Sequence, residues 1–129
     1  MKTTFYVASP YRNRVEVQFL ADILRERGLV WANDQDWTVL YRNIPDTHVE
    51  APKLATEDVL AAIAADLFVL LLSGNPTAGA TAEMVARWSH GRTCHMIWRN
   101  EQTHLFHRLP GLVVHRSIED FVGSVLRRP

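Results

Sequence analysis

The sequence predicts a doubly wound α/β fold: five parallel strands in one sheet, with helices on both sides. Three observations lead there. Apolar, β-prone runs alternate with stretches whose apolar residues recur at helical spacing. One run, Leu67-Phe68-Val69-Leu70-Leu71-Leu72, is apolar without a break, as a central parallel strand covered on both faces must be. Strand and helix alternate along the chain, which implies a parallel sheet joined by right-handed crossovers. The 129 residues suit a single domain with its own core.

The elements follow in order. Phe5 to Ala8 forms a short strand stopped by Ser9-Pro10, and Val15, Phe19, Ile23 and Leu24 set a helix that ends near Gly28. Leu29 to Ala32 is the second strand. Asn33 to Pro52 has no sustained period, and a loop of that length in a compact domain points to function. A helix from Leu54 to Ala65 delivers the chain into the central strand, which Ser73-Gly74-Asn75-Pro76 breaks. A further helix runs from Gly79 to His90 and stops at Gly91. Cys94 to Trp98 and Leu112 to His115 are the last strands, and Ser117 caps a helix reaching Leu126. Five such strands suggest the flavodoxin-like order 2-1-3-4-5, whose ligand crevice lies beyond the carboxyl ends of strands one and three.

Composition narrows the function. Fourteen basic residues balance fourteen acidic ones, so no global field exists to hold polymeric nucleic acid. No segment approaches the run of about 20 apolar residues that a membrane span needs. The opening residues lack the pattern of a signal peptide, and the single cysteine, Cys94, suits a reducing compartment; a cytoplasmic protein is expected. The histidines are not spaced as a metal set, and neither Gly-x-Gly-x-x-Gly nor a phosphate loop is present. Neither a metal nor an organic cofactor is expected. Trp88 and Trp98 read as core or subunit interface.

The crevice loops carry the candidate chemistry. Glu83 should lie near the start of its helix, where the helix dipole favours a carboxylate and keeps it ionised, as a nucleophile must be. Gly79 and Ala80 let a ligand approach the backbone. An ordinary first-turn glutamate completing a cap would look the same. Asp58, in the first turn of the preceding helix, is flanked by alanines at positions 62 and 65, which leaves room beside it. Two carboxylates on adjacent elements suit glycoside-bond chemistry, one attacking the anomeric carbon and the other handling a proton or orienting the sugar. Asp66 is expected to be structural, starting the strand. In the first loop, Ser9, Tyr11, Arg12 and Arg14 gather at a strand end; an arginine there can fork onto a 5′-phosphate, and Tyr11 can line a sugar or base pocket. Trp37 offers a ring for stacking or a cover for the core edge.

Taken together, Ala8-Ser9-Pro10-Tyr11, Asp58 with Ala65-Asp66, the apolar strand and Gly79-Ala80-Thr81-Ala82-Glu83 resemble, over nearly the whole chain, the nucleoside 2-deoxyribosyltransferases and the related 2′-deoxynucleoside 5′-phosphate N-hydrolases. That resemblance implies Glu83 as the nucleophile that forms a glycosyl-enzyme and Asp58 as its assistant at the sugar or base. It implies that Tyr11 places the substrate and the glutamate, and that Thr77 contacts phosphate. It also implies a homodimer. The expected reaction is cleavage or transfer at the N-glycosidic bond of a nucleoside or nucleoside 5′-monophosphate. The alternatives are a nucleotide-binding module of the same fold without turnover, or an enzyme that cleaves NAD.

Overall fold

The computed structural model describes residues 2–40, 51–72, 78–98 and 105–126. Five strands, β1 (Thr4–Ala8), β2 (Val30–Trp31), β3 (Leu67–Leu72), β4 (His95–Trp98) and β5 (Val113–His115), form one sheet in the order β2-β1-β3-β4-β5. All four pairings are parallel. The expected fold and strand order are those observed. Phe5 to Ala8 and Phe68 to Leu72 are buried, which is why the two central strands read as apolar runs.

Helices α1 (Arg14–Glu26) and α5 (Ile118–Val125) border a common groove, and the Arg27 guanidinium donates to the Leu126 carbonyl between them. Helices α3 (Ala51–Ala64) and α4 (Ala78–Ser89) pack against each other. Side-chain alternation places Tyr6, Phe68, Met96 and Trp98 in register on one face of the sheet. Arg87 of α4 lies over Phe68, so that face is the one α4 covers. His95 and His115 belong to the opposite face, where Phe121 of α5 meets both rings.

Three boundaries differ from expectation. The segment read as a loop after β2 contains a 3-10 turn and a short helix, α2 (Trp37–Leu40). Asp36 starts α2 by accepting from the Thr38 backbone N–H, and Arg25 of α1 ties the same carboxylate down. Helix α3 begins at Ala51 rather than Leu54, because a proline in the first turn has no N–H to waste and Pro52 fits there. Asp58 is therefore in the body of α3. Helix α4 begins at Ala78 and has no acidic residue in its first turn, so Glu83 sits in the second.

Two polar devices fix the frame. Asp66 accepts from the Thr4 backbone N–H at 2.9 Å and from the Thr4 hydroxyl, while its own N–H donates to that hydroxyl at 3.0 Å. These bonds lock the starts of β1 and β3 together and hold the Asp66 carboxyl below the ordinary range, the structural role expected of it. Arg87 is only 2% exposed, yet its guanidinium donates to the carbonyls of Ala62, Ala65 and Thr93 at 2.9, 2.6 and 2.8 Å. It caps the carboxyl end of α3 from α4, fixing the two helices that carry Asp58 and Glu83.

Candidate active site

The site is built around Glu83. Its carboxylate accepts a 3.1 Å hydrogen bond from the Tyr6 hydroxyl, which rises from the buried interior of β1. Part of the residue's surface is open, yet the carboxylate is hemmed in by protein. Burial pushes its pKa up to about 8, the negative charge of Asp58 adds to the rise, and the Tyr6 bond opposes it. Burial and the charge of Asp58 thus work against the ionised form expected from the sequence. A second-turn position loses the help of the helix terminus, and desolvation next to a like charge decides the outcome.

Asp58 faces this carboxylate from α3 and accepts a 3.2 Å hydrogen bond from the Gln35 side chain, itself 4% exposed. The two carboxylates expected to cooperate are thus brought together, with Tyr6 on one and Gln35 on the other. Sequence reasoning missed both partners. Tyr6 had a signal, since a phenolic hydroxyl inside a buried strand needs a partner. Gln35 lies in the stretch without a period and had none.

The other candidates scatter. Tyr11 packs at a tilt against Trp37, with ring centres 6.3 Å apart, and carries the Arg14 guanidinium over its own ring at 4.9 Å. Among the described residues, the hydroxyl that reaches Glu83 is that of Tyr6, not Tyr11. Trp37 is 6% exposed and its indole N–H donates to the Val7 carbonyl at 2.7 Å, so it braces the end of β1 and offers no open face for stacking.

Ser9 is spent on the frame as well, donating to the Leu71 carbonyl at 2.8 Å and accepting from Asn13. Arg12 lines the α1/α5 groove, on the face of the sheet opposite Glu83. Gly79 has open space around it, as a close-approach position should. Thr77 lies outside the described residues.

Beyond Glu83, α4 meets the 3-10 turn Leu105–Arg108. Thr81 and His107, both buried, share a 3.0 Å hydrogen bond, and the Trp88 indole donates to the Pro110 carbonyl. This docks the stretch before β5 onto the helix that carries the glutamate. Among the described residues, no group of three or more histidine, cysteine, aspartate or glutamate side chains converges on a point where a metal ion could bind. No described helix is long and apolar enough to cross a membrane.

Comparison with known proteins supports the architecture. A crystal structure of a conserved protein from Enterococcus faecalis V583 superposes with a TM-score of 0.68 over 95% of this chain and 96% of that one, at 17% sequence identity. At that identity the likeness shows the fold alone. No protein-family model and no curated protein sequence matches the chain.

Proposed function

We propose that the chain cleaves or transfers at the N-glycosidic bond of a deoxynucleoside or nucleoside 5′-monophosphate, with Glu83 as nucleophile and Asp58 as its proton-handling partner. The observation that supports this best is the carboxylate pair: Glu83 is held by Tyr6 and raised to a pKa of about 8 by burial and by Asp58, itself held by Gln35. Paired titratable groups perturbed in this way are characteristic of acid–base and nucleophilic sites.

In the proposed reaction the ionised Glu83 carboxylate attacks the anomeric carbon through an oxocarbenium-like transition state. The bond to the base breaks, its electron pair leaves with the base, and the base takes a proton that Asp58 relays to it from solvent. Water or a second base then opens the glycosyl ester and frees Glu83. Positive charge developing on the sugar favours the ionised carboxylate, so binding of the substrate itself draws the proton off Glu83. Tyr6 holds the attacking oxygen in place. A homodimer is part of the proposal, with Val15 and Phe19, 70% and 59% exposed on α1, as apolar surface for it to cover; light scattering on the purified chain tests the stoichiometry.

The test is a panel of deoxynucleosides, their monophosphates and NAD, with free base followed by chromatography. Base release from at least one substrate, lost in Glu83→Ala, is the expected result; exchange with an added base distinguishes transferase from hydrolase. Base release undiminished in Glu83→Ala overturns the nucleophile. One observation favours a second reading: a protonated Glu83 is also a good hydrogen-bond donor, as a binding module without turnover would use it. Thermal stabilisation by nucleotides without base release supports that reading.

A further inference from the structure

We propose that Arg108 and Arg116, stacked on Trp98, form an anion-binding subsite that takes the phosphate of a phosphate-bearing substrate. This rests on the reading of Glu83 for the identity of the substrate, though not for the existence of the subsite. Both guanidiniums lie 5.3 Å from the centre of the Trp98 ring. They reach it from different places, Arg108 from the end of the 3-10 turn before β5 and Arg116 from just after β5. Two cations sharing one ring repel each other, and among the described residues neither forms an ion pair that would offset the repulsion. The Trp98 indole N–H is also buried without an acceptor among the described residues. An anion between the guanidiniums would relieve the first problem and could supply the acceptor missing in the second.

Position links the cluster to the glutamate. Trp98 is the last residue of β4, in register with Leu72 at the end of β3, and shares the face of the sheet occupied by Tyr6. Arg108 follows His107, which is bonded to Thr81, two residues before Glu83 on α4. β1 and β4 are two strand spacings apart, and Trp98 lies four residues further along the strands than Tyr6, so their backbones are roughly 16 Å apart. Long side chains at both ends, Tyr6 with Glu83 and the two arginines, shorten that gap toward the length of a sugar carrying one or two phosphates. The arginines first suspected of this role are engaged elsewhere, Arg14 on Tyr11 and Arg12 in the groove across the sheet.

The experiment measures binding, by calorimetry on the full chain carrying Glu83→Gln so that no turnover intervenes. The probes are a deoxynucleoside, its 5′-monophosphate, NAD, inorganic phosphate and pyrophosphate. The expected result is that the monophosphate or NAD binds at least about tenfold more tightly than the nucleoside, the value of one charge-assisted contact, and that Arg108→Gln/Arg116→Gln abolishes the difference. Preference for the monophosphate assigns a phosphomonoester; preference for NAD and pyrophosphate assigns a diphosphate. Thermal unfolding checks that the double variant is folded, and single variants replace it if it is not. Equal binding of nucleoside and nucleotide, or a preference that survives loss of both guanidiniums, overturns the subsite. Base release by wild type without a phosphate preference leaves Glu83 standing and removes the subsite; anion binding without base release does the reverse.

Discussion

The two faces of the sheet each hold a pair of ionisable side chains, and they hold them differently. On the α1/α5 face, His95 Nδ1 and His115 Nε2 are 3.0 Å apart, the rings stack, and Phe121 closes over both. Burial pulls the His95 pKa down to about 4, helped by His115 and by the charge of Arg87; His115 is lowered by burial too, against the pull of Asp120. One neutral ring donates to the other, and the pair is satisfied. On the α3/α4 face, Asp58 likewise disfavours the charge of Glu83, but each carboxylate has a helper from another element. The histidine pair satisfies itself; the carboxylate pair is the one proposed above for chemistry.

That contrast can be broken from either side. Asp58→Asn should lower base release roughly 100-fold, second only to loss of Glu83 itself, with the pH dependence of the remaining activity moved to lower pH because a charge that raises Glu83 is gone. Stopped assays across pH read both. Arg87→Met removes the side-chain donor of the Ala62 and Thr93 carbonyls, leaving Ala65 with the Arg92 guanidinium alone, and should cost about 2–4 kcal/mol in chemical denaturation. It should also loosen the spacing of the carboxylates while sparing the histidine pair across the sheet.

The next effect is smaller and opposite in sign to most mutations. Glu83 has a folded pKa above its ordinary value of 4.5, so its contribution to stability is fully present below 4.5 and is lost as pH rises through about 8. Glu83→Gln should therefore match wild type near pH 4 and exceed it near pH 9 by roughly 1–3 kcal/mol. For the histidines the slope reverses. Their folded pKa values lie below the ordinary 6.5, so their contribution is present above 6.5 and is lost as pH falls toward about 4. His115→Phe should flatten that acid limb and leave base release unchanged, and thermal melts between pH 4 and 7 check it. The smallest effect expected is that of Gly79→Ala, which meets open space and should leave stability within about 0.5 kcal/mol of wild type. A rise in KM there would show that a ligand passes close to the helix start.

What was legible in the sequence follows the same division. The sheet could be read because Phe68 to Leu72 and Phe5 to Ala8 are buried and carry their burial in their own composition. Glu83 and Asp58 could be named, since both lie on helices bordering the crevice. Their protonation could not be read, because it depends on burial and on partners far along the chain: Tyr6 is 77 residues from Glu83, and Gln35 is 23 from Asp58. Arg87 was invisible for a related reason. A lone arginine on a helix looks like surface until the carbonyls that surround it are known. Trp37 could be read as a stacking ring or as a cover for the core edge, and only the fold reveals the Val7 carbonyl that claims its N–H and favours the second.

The central claim is that an ionised Glu83 attacks the sugar, and the pH dependence of kcat/KM tests it most directly, because that parameter reports groups in the free enzyme. With the best substrate from the panel, wild-type kcat/KM should rise between pH 6 and 9 with an apparent pKa of about 8, and Glu83→Gln should fall by roughly a thousandfold or more at every pH. A wild-type profile that is flat or declines over that range, or a glutamine variant that keeps wild-type activity, would contradict the account.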